Sequence, residues 1–345
     1  MDGAEPGSTI DIPAGTFLID RQIAIRKPLT LRTAPPRTGS LDCRAAPATC
    51  ATLVAAPAFA DQGGLLVLAS TSDVSLLHIA IDGNRLARMR SDSAADCYAG
   101  RNGAGFNARA LDCLRCMLDD VVSMNALCGT GFEWTGAAAV IQRSTFRDNG
   151  DGAIRRMWAD GLTLLYAPYS RVTDNLFLDN SDVGVIVGHG AYSFLARNRI
   201  VQRRQHAFAG LMLDNFNSGD LAIRGDFTGA TITANEVDCG LHMCGFGIEL
   251  GPHPWYNSPN IAGGEVTGNR IVGAGVGINI DGAGRRDAPI AVYANTVLMV
   301  EEEVAFRLCG QTFETSAIDI AKDAVVNRRG DTAYTVRRRD WHKCQ

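Results

Sequence analysis

Two short signatures alternate down this chain, and their spacing leaves few folds open. The first is a glycine opening a short apolar strand: Gly161-Leu-Thr-Leu, Gly184-Val-Ile-Val, Gly210-Leu-Met-Leu, Gly247-Ile-Glu-Leu and Gly277-Ile-Asn-Ile. The second is an asparagine within another strand, at Asn175, Asn198, Asn235, Asn269 and Asn295. Gly161 to Gly184 is 23 residues, Gly184 to Gly210 is 26, and Asn175 to Asn198 is again 23. Such a period is too short for a helical hairpin and suits a coil of three short strands. Apolar residues alternate within each strand, so one face of the strand points inward. A single coil cannot bury that face, whereas a stack of coils makes a continuous core. Asparagines recurring in one phase predict an inward ladder, each amide bonded to the next and to the turn backbone. The expected fold class is therefore all-β, a solenoid of three-strand coils.

Composition agrees. With 37 glycines and only 7% aromatic residues among 345, many short strands and tight turns are expected rather than packed helices. A formal net charge of -4 argues against wrapping a nucleic-acid backbone, which needs a basic stripe. No stretch approaches the roughly eighteen consecutive apolar residues of a membrane span. The chain opens Met-Asp-Gly-Ala-Glu without a basic, apolar leader, so a leader is either absent or removed. Ten cysteines include three local pairs, Cys43/Cys50, Cys113/Cys116 and Cys239/Cys244, beside Cys97, Cys128, Cys309 and Cys344. Disulfides would imply an oxidising compartment, hence a secreted or periplasmic protein. Buried free thiols are one alternative and a zinc site at Cys113-x-x-Cys116 another, for whose second half only Cys97 and Cys128 are at hand.

Pro6-Gly-Ser-Thr-Ile-Asp-Ile-Pro-Ala-Gly-Thr-Phe, followed by Ile23-Ala-Ile-Arg-Lys-Pro-Leu-Thr-Leu, resembles the opening coil of the pectate-lyase-like β-helix superfamily. His78-Ile-Ala-Ile-Asp-Gly-Asn adds to the likeness, which covers about residues 7–325. It implies a right-handed parallel β-helix forming a single domain over 1–345. The expected division is an opening coil over about 1–35, regular coils over about 65–325 and a closing segment over about 326–345. The Arg/Ser/Asp/Gly-rich stretch 86–104 reads as a loop interrupting the coils.

Departures from the period mark candidate binding loops, because insertions in a repeat map to one face. Gly161 to Asn175 and Gly184 to Asn198 are each 14 residues, but Gly210 to Asn235 is 25 and Gly247 to Asn269 is 22. Two neighbouring coils thus carry insertions at one corner, Asp214-Asn215-Phe216 onward and Gly251-Pro-His253-Pro-Trp255-Tyr256 onward. Flat aromatic faces flanked by short polar groups suit sugars, which present apolar C–H faces and a rim of hydroxyls. Asn215, His253, Trp255 and Tyr256 are accordingly candidate sugar contacts. Trp158, Tyr166 and His189, the last between two glycines, are further ones.

Aligning the coils on their glycines places Glu249 on the outward face in one column with Thr163, Ile186, Met212 and Asn279. Glu133 joins it if Gly131-Phe-Glu-Trp is an earlier coil, and Asp214 and Asp281 lie two residues further along. With coils about 4.8 Å apart and residues about 3.3 Å apart, Asp214 and Glu249 fall roughly 8 Å apart at the backbone. Paired carboxylates push their pKa values apart, leaving one acid and one base. A narrower resemblance concerns polygalacturonase-like glycoside hydrolases, in which an Asn-Thr-Asp-Gly strand is followed one coil later by an Asp-Asp pair. Trp158-Ala-Asp160-Gly161 resembles the first element and Ser181-Asp182-Val183-Gly184 the second, which implies a base-like Asp160 and an acid-like Asp182. Three departures stand out, the first being that Gly188-His189-Gly190 follows Asp182 directly, whereas that family's Gly-His-Gly sits a coil further on. Val183 replaces the second acid, and the Arg-x-Lys that holds a substrate carboxylate in that family has no counterpart.

The candidate catalytic residues are thus Asp160, Asp182, Asp214 and Glu249, with Glu133 and Asp281 among the substrate contacts. The function expected first is hydrolysis or transglycosylation of an oligo- or polysaccharide by a carboxylate pair, with no metal or cofactor. A polysaccharide lyase or epimerase, or a non-catalytic glycan-binding coil, are the alternatives. The only lysines, Lys27, Lys322 and Lys343, lie near the ends, so a lyase would need an arginine base such as Arg155, Arg203 or Arg204.

Overall fold

A computed structural model describes residues 3–37, 39–60, 63–90, 94–99, 105–154, 157–216, 224–253, 258–285, 287–300, 304–309 and 342–344. It also gives the backbone of the strands Ile318–Asp319, Ala324–Arg328 and Tyr334–Val336. The fold is a right-handed parallel β-helix, with each coil contributing one strand to each of three parallel sheets. The chain divides into two compact units, Met1–Thr163 with Asp174–Asp182, and Leu164–Thr173 with Val183–Gln345.

In the first unit the third sheet runs through Ile23–Ile25, Leu66–Ser72, Ala108–Leu114 and Gly129–Thr135, with Val67, Arg109 and Glu133 in register. In the second unit it runs through Val183–Val187, Ala207–Leu213, Cys244–Leu250, Val276–Asp281 and Val304–Cys309. The outward column there is Ile186, Met212, Glu249, Asn279 and Arg307, as the glycine alignment predicts.

The glycine column has a steric cause. A Cβ on Gly210 would sit 2.8 Å from the carbonyl oxygen of Gly247, and one on Gly247 2.6 Å from that of Gly277. A Cβ on Gly277 would meet both the Ala305 carbonyl at 2.5 Å and the Val297 side chain at 2.6 Å. The chain turns into the third sheet here against the second sheet's β-branched residues, leaving no room for a side chain.

The asparagine ladder forms as expected. Asn235 N and Nδ2 donate to Asn269 Oδ1 at 3.0 and 2.9 Å, and Asn269 N and Nδ2 donate to Asn295 Oδ1 at 3.0 Å each. Each Nδ2 also donates to a carbonyl of the preceding coil, that of Leu195 for Asn235 and Ile232 for Asn269. In the first unit the ladder passes to a hydroxyl, with Val121 N donating to Ser144 Oγ and Ser144 N to Asn175 Oδ1. A second ladder that the motif search missed stands at another corner, where Asn149 Nδ2 donates to Asn180 Oδ1 at 2.8 Å.

All ten cysteines pair, as Cys43–Cys50, Cys97–Cys128, Cys113–Cys116, Cys239–Cys244 and Cys309–Cys344. The thiol and zinc readings are thereby set aside, and the bridges fit an oxidising compartment. The stretch read as a plain loop instead holds two single-turn helices, Arg85–Arg88 and Ala95–Tyr98. Arg88 is buried over the Phe59 ring, and Cys97 is tied to Cys128, which explains why a polar segment is ordered there. Among the described residues no helix is long and apolar enough to cross a membrane.

Replacing Asn269 by Ala takes the Oδ1 acceptor from the Asn235 backbone N–H and from one Nδ2 hydrogen, and the Nδ2 donor from the Ile232 carbonyl, in a buried corner, while Asn235 Nδ2 keeps its bond to Leu195. The expected cost is about 2–4 kcal/mol, since each orphaned buried group costs roughly 1–3 kcal/mol. Equilibrium denaturation of the variant against wild type measures it, and an unchanged midpoint would contradict the ladder's role.

Candidate functional site

The first unit brings Asp160 and Asp182 together. The strand Ala159–Tyr166 and the chain entering the next coil are joined by two bonds, Asp182 N to the Ala159 carbonyl at 3.2 Å and Ala159 N to Ser181 Oγ at 3.0 Å. The Thr163 hydroxyl donates to Asp160 Oδ2 at 2.6 Å and lies 3.2 Å from Thr130 Oγ1. That contact orients the Asp160 carboxylate from a position three residues along its own strand. Both aspartates are half-buried, so each keeps some access to solvent. Burial, and secondly the negative charge of Asp160, hold the Asp182 carboxyl well above the usual carboxylate range. Trp158, next but one to Asp160, is 50% exposed, an unusual share for an indole that nothing in the core needs.

Glu133 belongs to the same unit and is almost buried. Arg109, one coil earlier in the same column, grips its Oε1 through Nε at 2.7 Å and through Nη2, and stacks on Phe106 with its guanidinium 5.0 Å from the ring centre. Glu133, expected as a substrate contact, is thus held in an ion pair within the sheet.

The second unit gathers the other acids, and here exposure departs from expectation. Asp214 and Glu249 keep the expected register, since Leu213 pairs with Leu250 and Met212 with Glu249, but both are fully buried. Facing away from the coil axis is not the same as facing water. Phe208, Phe216 and Phe246 pack over the outward column at Ile186 and Met212, so Phe216 is a packing residue rather than a sugar face. Glu249 Oε2 accepts from Asn279 Nδ2 at 2.7 Å, and Asn279 Oδ1 accepts in turn from Arg307 Nε at 2.8 Å. Burial raises the Glu249 carboxyl well above its ordinary value against the opposing Asn279 bond, and nearby Asp281 and Asp214 add to the rise. Asn215 is buried too, its Nδ2 bonded to the Pro259 carbonyl at 2.6 Å. His253 Nδ1 lies 3.2 Å from Asp281 Oδ1, an interaction that steadies both. The half-buried His189 stacks beside Tyr166 with ring centres 4.9 Å apart, and burial lowers its pKa against the pull of Asp226. Trp255, Tyr256 and Arg155 lie outside the described residues. Arg203 is engaged with Asp238.

One His/Cys/Asp grouping with metal-like spacing occurs among the described residues, Cys43, His78 and Asp120. It does not fit a metal. The Cys43 sulfur is in its disulfide, and the Asp120 oxygens already accept from the Cys43 and Arg44 amides and meet His78 Nδ1 at 2.8 Å. The group clips the Cys43–Cys50 loop to the coils.

A family model for the right handed beta helix region matches residues 115–297, and the chain belongs to that family. Among solved structures it is similar to a double mutant of the tailspike protein of E. coli bacteriophage HK620 in complex with a pentasaccharide. The identity is 13% and the TM-score 0.64, over 94% of this chain and 57% of that one. It is also similar to a hyperthermoactive exopolygalacturonase from Thermotoga maritima, at 10% identity and TM-score 0.50 over 96% and 86% of the two chains. A third similar structure is the enzymatically active domain of bacteriophage CBA120 tailspike protein 2, at 8% identity and TM-score 0.55 over 88% and 43%. At these identities the likeness is one of fold, and the chain spans little more than half of the HK620 tailspike. No curated protein sequence matches.

The raised carboxyls carry a stability signature. In the unfolded chain Glu249 ionises in the ordinary carboxylate range, whereas the folded protein resists its ionisation. Stability contributed by this group is therefore full below that range and is lost as pH rises from it through the raised folded value. Glu249→Gln, which keeps shape and the acceptor for Asn279, is expected to raise the melting temperature by about 1–4 °C at pH 8. The gain should vanish near pH 4. A difference that does not depend on pH between 4 and 8 would contradict the buried, neutral carboxyl.

Proposed function

We propose that the protein is a secreted or periplasmic carbohydrate-active enzyme that cleaves a glycan by acid–base glycoside hydrolysis or transglycosylation on the outer face of its strands. The observation that carries this reading is the half-buried Asp160–Asp182 pair on consecutive coils beside the exposed Trp158. Asp182, which burial and Asp160 keep protonated, donates its proton to the glycosidic oxygen as the bond from that oxygen to the anomeric carbon breaks. Asp160, oriented by Thr163, takes a proton from the water or sugar hydroxyl whose oxygen forms the new bond to that carbon. Trp158 offers a flat face against which a sugar ring stacks.

The pentasaccharide held by the HK620 tailspike and the activity in the name of the Thermotoga maritima exopolygalacturonase support a glycan as the ligand. A fold alone does not determine chemistry, so the weight rests on the carboxylates. Asp214 and Glu249 have no solvent-exposed area and take no chemical step in this reading. The five disulfides favour the extracytoplasmic location.

Reducing-end release from a panel of neutral and acidic polysaccharides, followed in parallel at 235 nm, is the test. Release without absorbance is expected, and Asp160→Asn and Asp182→Asn should each lower the rate by about 10²-fold or more. Trp158→Ala should raise KM more than it lowers kcat. Absorbance from an unsaturated product, or full activity in both aspartate variants, would overturn the assignment.

A further inference from the structure

At the corner where the chain leaves the third sheet for the first, the residue two places before seven of the described first-sheet strands has a positive φ. In the first unit these residues are Asp73, Arg115 and Ala138, and in the second Tyr169, Tyr192, Gly229 and Gly263. The left-handed backbone suits glycine, and aspartate or asparagine next, whereas a bulky ring there is uncommon and costs conformational energy. Yet Tyr169 (φ 59°) and Tyr192 (φ 56°) occupy two successive coils, and they are 62% and 56% exposed. Core packing therefore does not account for them.

The two rings lie 5.2 Å apart and within 7° of parallel. Behind Tyr192 the next corner residue is Gly229, where a Cβ would come within 2.6 Å of Tyr192 Cδ1. Tyr192 is thus held flat between the Gly229 backbone and the ring of Tyr169, and Tyr169 has no second ring partner among the described residues. Two residues on, Arg171 lies over the Phe194 ring at 5.2 Å, again across the same two coils. Arg171 is exposed and pairs with no carboxylate among the described residues. The corner backbone is fixed by Ser170 N donating to Ser193 Oγ at 2.9 Å.

We infer that the exposed ring of Tyr169, backed by Tyr192 over Gly229 and flanked by Arg171, is an accessory binding patch for one pyranose unit of a glycan chain. The chemistry is specific. A flat electron-rich ring receives the C–H face of a sugar, the phenol hydroxyls reach its rim, and the guanidinium fork meets a hydroxyl pair or a sugar carboxylate. A peptide side chain or lipid tail would need a concave apolar seat, whereas the groups here are two exposed phenol rings and a guanidinium. Tyr192 acts as a positioning residue. The inference extends the glycan reading above to a second contact point and does not involve Asp160 or Asp182.

Affinity electrophoresis of the full chain, in gels containing either polygalacturonate or neutral hydroxyethylcellulose, tests the patch. Wild type should be retarded in at least one gel, and Tyr169→Gly, which relieves the backbone rather than straining it, should weaken the retardation roughly three- to tenfold. Tyr169→Trp should retain or strengthen it. Arg171→Gln should weaken it in the polygalacturonate gel alone if the bound unit is acidic, and in the neutral gel if hydroxyls are the target. Matching thermal unfolding of the variants shows that the fold is intact. Wild type retarded by neither gel, or Tyr169→Gly retarded like wild type, overturns the patch. Glycan cleavage that continues with unaltered retardation in Tyr169→Gly overturns the patch alone, whereas loss of retardation in a chain that cleaves nothing overturns the enzyme reading and leaves the patch standing.

Discussion

Parallel backbone pairing from one coil to the next is the constraint on which every other feature depends. A three-residue strand such as Glu236–Asp238 has little stability alone and becomes fixed only by the strands on either side of it. Once that pairing exists, equivalent residues recur about 4.8 Å apart along the stack, and like is brought over like. Asparagines become a ladder, glycines become a column without Cβ atoms, and two corner tyrosines become a stacked pair. Stacking carboxylates is the costly version of the same rule, because two like charges a coil apart resist ionising together. Asp160 and Asp182 are such a pair, and the charge of Asp160 adds to burial, the larger cause, in raising the carboxyl of Asp182.

The same geometry decides what the sequence can reveal. The glycine phase placed Glu249 beside Met212 and Asn279, and the structure has that register. It could not reveal that Phe208, Phe216 and Phe246 pack over the column, because the cover comes from residues outside the strand alternation. Asp214 and Glu249 were accordingly read as solvent-facing acids when they are buried ones. The local cysteine pairs were legible from spacing, whereas Cys97–Cys128 and Cys309–Cys344 join residues that only the fold brings close. The second amide ladder was within reach, since Asp148-Asn149 and Asp179-Asn180 repeat the Asp174-Asn175 signature at another corner. The single-turn helices near residues 85–98 were not, because their order comes from Arg88 on Phe59 and from a disulfide rather than from helical periodicity.

Two carboxyls held well above the ordinary range, those of Glu249 and Asp182, differ in their surroundings. Glu249 is enclosed, with one carboxyl oxygen joined to Asn279 and through it to Arg307 and the other buried without a hydrogen-bond partner. Asp182 is raised by burial and secondly by a neighbouring carboxylate, while the residue as a whole keeps some exposure. A group that destabilises the folded chain by being where it is, yet keeps access to solvent, is what an acid–base site requires.

The coupling between the two aspartates is the central claim, and carbon-13 titration of the side-chain carboxyls reads it most directly. In the wild-type protein Asp182 should titrate well above the ordinary carboxylate range, and in Asp160→Asn its midpoint should move down because the neighbouring charge is gone. An Asp182 that titrates in the ordinary range, or one whose raised midpoint does not move when Asp160 is neutralised, would contradict a paired acid and base at this site.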